Sequence, residues 1–176
     1  MKWKYWYWKN ILNMQQINAI NKIKVCDGND QPANSTKISK VKFIEYSKIK
    51  NYLNNSIEKA YESNLKNFKC NLFPFPQETK LVHNTYKKGG EYNWHIDSTS
   101  HDDYDIKFTV LINISNTSYM GGKFKLWVYE KPLTIKEFNN PGDMIMFRSF
   151  HLHKVTPILK GVRKTLTIFL SGPRLQ

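Results

Sequence analysis

Residues 108–114 read Phe108-Thr109-Val110-Leu111-Ile112-Asn113-Ile114, with an apolar side chain at every second position from Phe108 to Ile114. A period of two puts Phe108, Val110, Ile112 and Ile114 on one side of an extended strand. From residue 70 onward such short apolar runs recur, separated by Lys88-Gly89-Gly90, Met120-Gly121-Gly122, Asn140-Pro141-Gly142 and Lys160-Gly161. Glycine and proline at those points turn the chain, so the pattern predicts successive antiparallel strands. Before residue 70 the periodicity changes. Ile11, Leu12, Met14, Ile17, Ile20 and Ile23 approximate helical spacing, and Ile49, Tyr52, Leu53, Ile57, Ala60, Tyr61 and Leu65 form the stripe of a second helix. Residues 2–9 alternate lysine and aromatic groups and predict a short edge strand, while the polar residues 27–38 predict a loop. The expected fold is α+β, mainly β: N-terminal supporting helices over one face of a two-sheet jelly roll, or double-stranded β-helix. No linker or repeat divides the chain. Residues 1–176 are expected to form one domain, with the strand and support helices in 1–69 and the jelly-roll core in 70–173.

Composition narrows the function classes. Hydrophobic residues at 40% and aromatics at 14% exclude a chain disordered throughout. The net charge of +13 comes from basic residues scattered between Lys2 and Arg174. Such dispersal favours a solvated lysine-rich surface over a nucleic-acid footprint. Two cysteines, Cys26 and Cys70, are too few for a secreted disulfide framework and are expected as free thiols. The start, MKWKYWYWKN, lacks the apolar core of a signal peptide, and no apolar run is long enough to span a bilayer. The expectation is a soluble cytoplasmic protein without a membrane partner, a phage protein working in a host cytoplasm included. No motif speaks to oligomeric state.

Chemistry concentrates in two places. Tyr92-Asn93-Trp94-His95-Ile96-Asp97 contains His-x-Asp, and residues two apart on a strand face the same side, where an imidazole and a carboxylate can meet one metal. Alone the spacing is common. Downstream, Asn140-Pro141-Gly142-Asp143 leads into the apolar Met144–Phe147, followed by Ser149-Phe150-His151-Leu152-His153-Lys154-Val155-Thr156-Pro157. A histidine from this second stretch completes two His and one carboxylate, a facial set that leaves iron positions open for a bidentate 2-oxo acid and oxygen. A closed four-ligand zinc site has no such room. Ten residues past His153 stands Arg163, on an alternating stretch with Thr165, Thr167 and Phe169. A guanidinium inside a barrel needs an anion, and a dicarboxylate suits it by bidentate pairing.

Together these residues resemble the iron(II)/2-oxoglutarate-dependent dioxygenases, in particular the prolyl 4-hydroxylase-like branch with its short bacterial and phage-type members. The resemblance covers roughly residues 70–173. It rests on Tyr86-Lys-Lys-Gly-Gly-Glu-Tyr92-Asn-Trp-His95-Ile-Asp97, Met120-Gly-Gly-Lys-Phe124, Pro141-Gly-Asp-Met-Ile-Met-Phe147 and Leu152-His153-Lys-Val-Thr-Pro157-Ile-Leu-Lys-Gly161-Val-Arg163. It implies that His95, Asp97 and His153 bind Fe(II), that Arg163 holds the distal carboxylate of 2-oxoglutarate, and that Tyr86 faces the co-substrate. The ten-residue interval to Arg163 selects His153 over His151, which is expected at the pocket rim or in solvent. His101 is expected in a polar loop, His83 on a strand, and Phe68, Phe73 and Phe75 in the core. Two positions depart from the pattern: Asn113 replaces a common tyrosine and Phe169 a common tryptophan. The resemblance further implies O2 as oxidant, ascorbate as a reductant, hydroxylation of an unactivated C–H bond and a peptide or protein substrate carrying proline. Loops around residues 76–90 and 98–105 are expected to border the pocket. Two alternatives stand beside it: a nucleic-acid oxidative demethylase of the same superfamily, and a non-catalytic jelly-roll binding module. The first is disfavoured because Arg163–Phe169 lacks the Asn and second Arg of those enzymes, the second because the triad and Arg163 are intact.

Overall fold

The computed structural model describes residues 4–26, 36–97, 103–128 and 130–174. In chain order the elements are β1 (Tyr5–Trp8), α1 (Met14–Lys22), β2 (Lys37–Ile38), β3 (Lys40–Glu45), α2 (Lys50–Ser63), β4 (Lys80–Tyr86) and β5 (Glu91–His95). They continue with β6 (Tyr104–Asn113), β7 (Tyr119–Gly121), β8 (Phe124–Val128), β9 (Lys131–Thr134), β10 (Met144–Arg148), β11 (His153–Val155), β12 (Ile158–Gly161) and β13 (Arg163–Pro173). A six-stranded sheet runs β1-β10-β6-β13-β4-β3 and a five-stranded sheet β2-β5-β11-β8-β9, with β12 and β7 paired beside them. Every ladder is antiparallel, the crossed order of a jelly roll.

The central strands are buried on both faces, and their alternation sorts them. On β6, β10 and β13, Phe108, Val110, Ile112, Met144, Met146, Leu166, Ile168 and Leu170 pack under the helices. The intervening Leu111, Ile145 and Phe147 turn inward, against Phe124, Leu126 and Val155 of the second sheet. Arg163, Thr165, Thr167 and Phe169 share that inward parity on β13 and line the cavity between the sheets. The predicted strand alternation and the predicted helical cover are thus two sides of the same residues.

The helices are fastened locally. Asn13 and Gln16 form a reciprocal capping box at the start of α1, which buries Ile17 and Ile20. On α2, Leu53, Ile57 and Ala60 are buried at helical spacing. Leu65, assigned to the same stripe from sequence, is 72% exposed. The cause is a π-helical turn over Asn64–Phe68, which breaks the 3.6-residue rhythm and rotates Leu65 outward while Phe68 stays buried. The expected loop over 27–38 ends early, because Lys37–Ile38 pair with Tyr92 and Glu91; residues 27–35 lie outside the described residues. Strand β3, which sequence reading passed over, adds an edge through Lys40–Glu45. Both cysteines are free thiols. Among the described residues no helix is long and apolar enough to cross a membrane.

Candidate active site

His95 closes β5, Asp97 lies two residues beyond it, and His153 opens β11 directly opposite His95 in the ladder. Asp97 Oδ2 is 3.2 Å from His153 Nε2, and Asp97 Oδ1 is 3.6 Å from His95 Nε2. One ligand atom from each residue lies within 4.8 Å of the others, a spacing that could hold a metal ion. Both rings are aimed by their own backbones. His95 Nδ1 sits 2.6 Å from the carbonyl of Asn93, and His153 Nδ1 2.9 Å from that of His151. Each Nδ1 therefore carries a hydrogen toward a carbonyl and turns Nε2 toward Asp97, where it offers a lone pair to a metal once it carries no proton of its own. Thr109 donates from Oγ1 to Asp97 Oδ2 at 2.9 Å, orienting the carboxylate.

A ladder irregularity gives His95 its direction. His153 pairs with His95 and Val155 with Tyr92, so three steps on β5 answer two on β11. The extra residue lets Tyr92 and His95 face the cavity together, where regular alternation would separate them. Their rings stack, with centroids 3.3 Å apart and planes inclined by 11°.

Burial governs the charge states. It pushes the His95 imidazole down to about 4, and the neighbouring His153 acts in the same direction. For Asp97 burial acts upward, but the hydrogen bond and charge of His153, with help from His95 and Thr109, hold the carboxyl below its usual value. A neutral imidazole and an ionised carboxylate are the forms that bind a cation.

The cavity behind this cluster has a volume of about 130 Å3 and reaches Arg163. Arg163 is 1% exposed, and its Nε and Nη2 have no hydrogen-bond partner among the described residues. The guanidinium lies 5.6 Å from the ring centres of Tyr86 and Phe138. Tyr86 faces Arg163 across the β13–β4 ladder, and burial raises its hydroxyl well above the usual range, so it remains an O–H donor. Gly122 makes room for the arginine. At φ 61°, a Cβ there would come 2.9 Å from Arg163 Cδ and 2.5 Å from Ile158 Cδ1. A buried cation with idle donors is costly unless an anion completes it, so the residues present fit a dicarboxylate with one end at the His-Asp-His cluster.

His151 stands outside the cluster. It precedes β11 in a turn, against the Phe150 ring, and its Nε2 is buried, without a partner among the described residues, rather than solvated. His83 is a buried residue of β4 and His101 lies outside the described residues. Phe68 and Phe75 pack in or on the core, but Phe73 is 42% exposed, contrary to expectation. The region 76–90, expected as a loop, is largely β4, whose Val82, Asn84 and Tyr86 line the cavity. Of the loop 98–105, residues 98–102 lie outside the described residues. Asn113 is fully buried, donating to Tyr119 Oη and the Asn139 carbonyl and accepting from the Ser115 amide. Its hydrogen bonds fasten turns, which explains why the position carries an amide. Phe169 lines the cavity wall.

Sequence reading missed Thr109, Tyr92 and Lys37. Thr109 was legible from its inward parity opposite the alternating Phe108 and Val110, whereas Tyr92 depends on the bulge. Lys37 lies 4.8 Å over the Tyr92 ring, and burial brings its ammonium down to about 8 against the opposing pull of Asp97.

Residues 81–171 match the model of the 2OG-Fe(II) oxygenase superfamily, and the chain belongs to that family. It is an oxidoreductase of a class that uses Fe(II), 2-oxoglutarate and O2. A PKHD-type hydroxylase of Aliarcobacter butzleri (strain RM4018) is 30% identical over 171 residues, covering 87% of this chain and 72% of that protein. A prolyl-4-hydroxylase of Pseudomonas putida superposes with a TM-score of 0.74 at 14% identity, over 98% of this chain and 95% of that one. The viral collagen prolyl hydroxylase of Paramecium Bursaria Chlorella virus-1, in its 2OG complex, gives 0.72 at 14% identity over 97% of each chain. These two likenesses show the shared jelly roll.

Proposed function

We propose that the protein hydroxylates prolyl residues of a peptide or protein, with His95, Asp97 and His153 as iron ligands and Arg163 and Tyr86 as the 2-oxoglutarate anchor. The observation that carries this is the buried guanidinium of Arg163, with donors idle among the described residues, lining the same cavity as the His-Asp-His cluster. Iron with its co-substrate supplies the oxidising power for C–H hydroxylation. The chain's own residues do the rest. The two Nε2 atoms and the Asp97 carboxylate offer one face of ligands, Thr109 holds that carboxylate, and Arg163 with the Tyr86 O–H orients the dicarboxylate. Phe124, Leu111 and Val155 on the cavity walls keep water away from the reacting end. The prolyl substrate is supported by the names of the hydroxylases that share the fold.

The test is turnover by anaerobically purified protein given Fe(II), 2-oxoglutarate and air. Succinate is expected, with a gain of about 16 Da on proline-bearing peptides, the mass of one oxygen atom. Absence of succinate with every peptide would overturn the reading. Succinate with oxygen gained on another residue would overturn the prolyl assignment. His153→Ala is expected to abolish iron retention while His151→Ala keeps it.

A further inference from the structure

The residues next to both histidines of the site point the other way, onto the outer face of the five-stranded sheet. Trp94 precedes His95 on β5 and Lys154 follows His153 on β11. Lys154 stands directly opposite Lys125 of β8, and Trp127 follows two positions on, about 7 Å along the strand. Like charges opposed across a ladder repel. Among the described residues neither ammonium has an ion-pair partner; Lys154 has the Trp94 ring at 5.5 Å. Trp94 meets Trp127 edge-on, with centroids 5.6 Å apart and planes at 79°, a contact that braces the Trp127 ring. Trp127 remains 41% exposed, and its neighbour across the turn, opposite on β9, is Pro132. The one carboxylate of β5, Glu91, is three residues from Trp94.

We propose that this face binds single-stranded nucleic acid, with a phosphate between Lys125 and Lys154 and a base against Trp127. An anion between the lysines relieves the repulsion the sheet builds in. An indole braced within one nucleotide's reach supplies the flat π surface that bases of any sequence use. A carboxylate-rich peptide would satisfy the lysines but leave the indole without a role. The overall charge of +13 draws polyanions toward the protein, and this arrangement gives them a place to dock. The site lies on the reverse of the strands that carry His95 and His153, so it is independent of the hydroxylation chemistry.

The experiment uses the full chain without added iron and a fluorescein-labelled oligouridylate of about 12 nucleotides, a length within the usual range for one such platform. Binding is followed by anisotropy and by quenching of indole fluorescence at several salt concentrations. Trp127→Ala is expected to weaken binding roughly tenfold, with Trp127→Phe retaining most of it because a ring is kept. The Lys125→Ala, Lys154→Ala double variant is expected to lower the salt slope by about 0.7, the loss of one phosphate contact on a single strand. Lys22→Ala with Lys66→Ala removes the same charge from exposed helical positions and is expected to leave binding near wild type. Circular dichroism confirms that each variant is folded, and Trp127→Leu, which keeps an apolar side chain without a ring and is expected to bind as weakly as Trp127→Ala, decides the matter if Trp127→Ala is not. Wild-type affinity in the folded ringless variant would overturn the proposal. Two other results would do so: an equal loss in the Lys22, Lys66 control, which would reduce the effect to net charge, or equal competition by oligoglutamate, which would point to an acidic protein.

Discussion

The Asp143 turn and the Arg163 end of the cavity both withdraw a charge from solvent, and they treat it in opposite ways. The Asp143 side chain is 0% exposed and fully engaged: Lys9 donates to it through Nζ, and the backbone amides of Asn10 and Asn140 donate as well. Its own carbonyl accepts from Asn113, so the turn ties the N-terminal segment, β6 and β10 together. Arg163 is equally buried and lines the cavity, yet its Nε and Nη2 have no acceptor among the described residues. A buried charge with all its bonds made belongs to the architecture. A buried charge with bonds left over belongs to a ligand, because the fold tolerates the desolvation only if something else completes it.

Four measurements would break or sharpen that contrast. The largest effect is expected for Arg163→Met, which should cut succinate formation by roughly a hundredfold or more, since a bidentate charged pair is lost from the bound state. The same substitution should leave the melting temperature of the ligand-free protein undiminished, because it removes an uncompensated charge. A large fall in ligand-free stability would mean that Arg163 is structural after all. Asp143→Ala should do the reverse: a loss of about 2–3 kcal/mol in urea unfolding, from two amides and an ammonium stripped of their acceptor. Next comes Thr109→Val, which deprives Asp97 of an oriented donor. About tenfold weaker iron binding is expected in an anaerobic titration, with little change in stability.

The smallest effect concerns pH. Burial holds His95 and His151 down at about 4, with an unfolded value near 6.5. Between those values the unfolded chain binds more protons than the folded one, so stability of the metal-free protein should fall as the pH drops from about 6.5 toward 4. The pH dependence of the melting temperature checks this. His151→Asn should flatten it in part without touching iron retention.

The strand half of the molecule was legible because its burial is two-sided and alternating. Phe108, Val110 and Ile112 announced one face, and the same parity on β13 put Arg163, Thr165 and Phe169 on the other. His95, His153 and Arg163 could be placed for the same reason, since each occupies an inward position of a strand, whereas Asp97 follows two residues past the end of β5. What escaped was whatever depends on a break in periodicity. Leu65 was misassigned because a π turn leaves no compositional trace, and Tyr92 was overlooked because an extra residue on one strand is visible only when its partner is known. Asp143 illustrates a third limit. Its sequence context marks a turn, but the partner that neutralises it, Lys9, lies 134 residues away.

The bulge between Tyr92 and His95 has a consequence for how this protein tolerates changes in length. Removing one residue at Asn93 or Trp94 would restore an uninterrupted ladder with β11, a change a sheet accepts readily. The same deletion would leave Tyr92 and the imidazole two positions apart, where plain alternation still turns both toward the cavity. What the shortened strand loses is one outward side chain, since Asn93 and Trp94 together fill the span that a single residue fills in a regular ladder. The inward face is therefore buffered against the loss of one residue here, and a family member shortened at this point still presents its histidine opposite the one on β11.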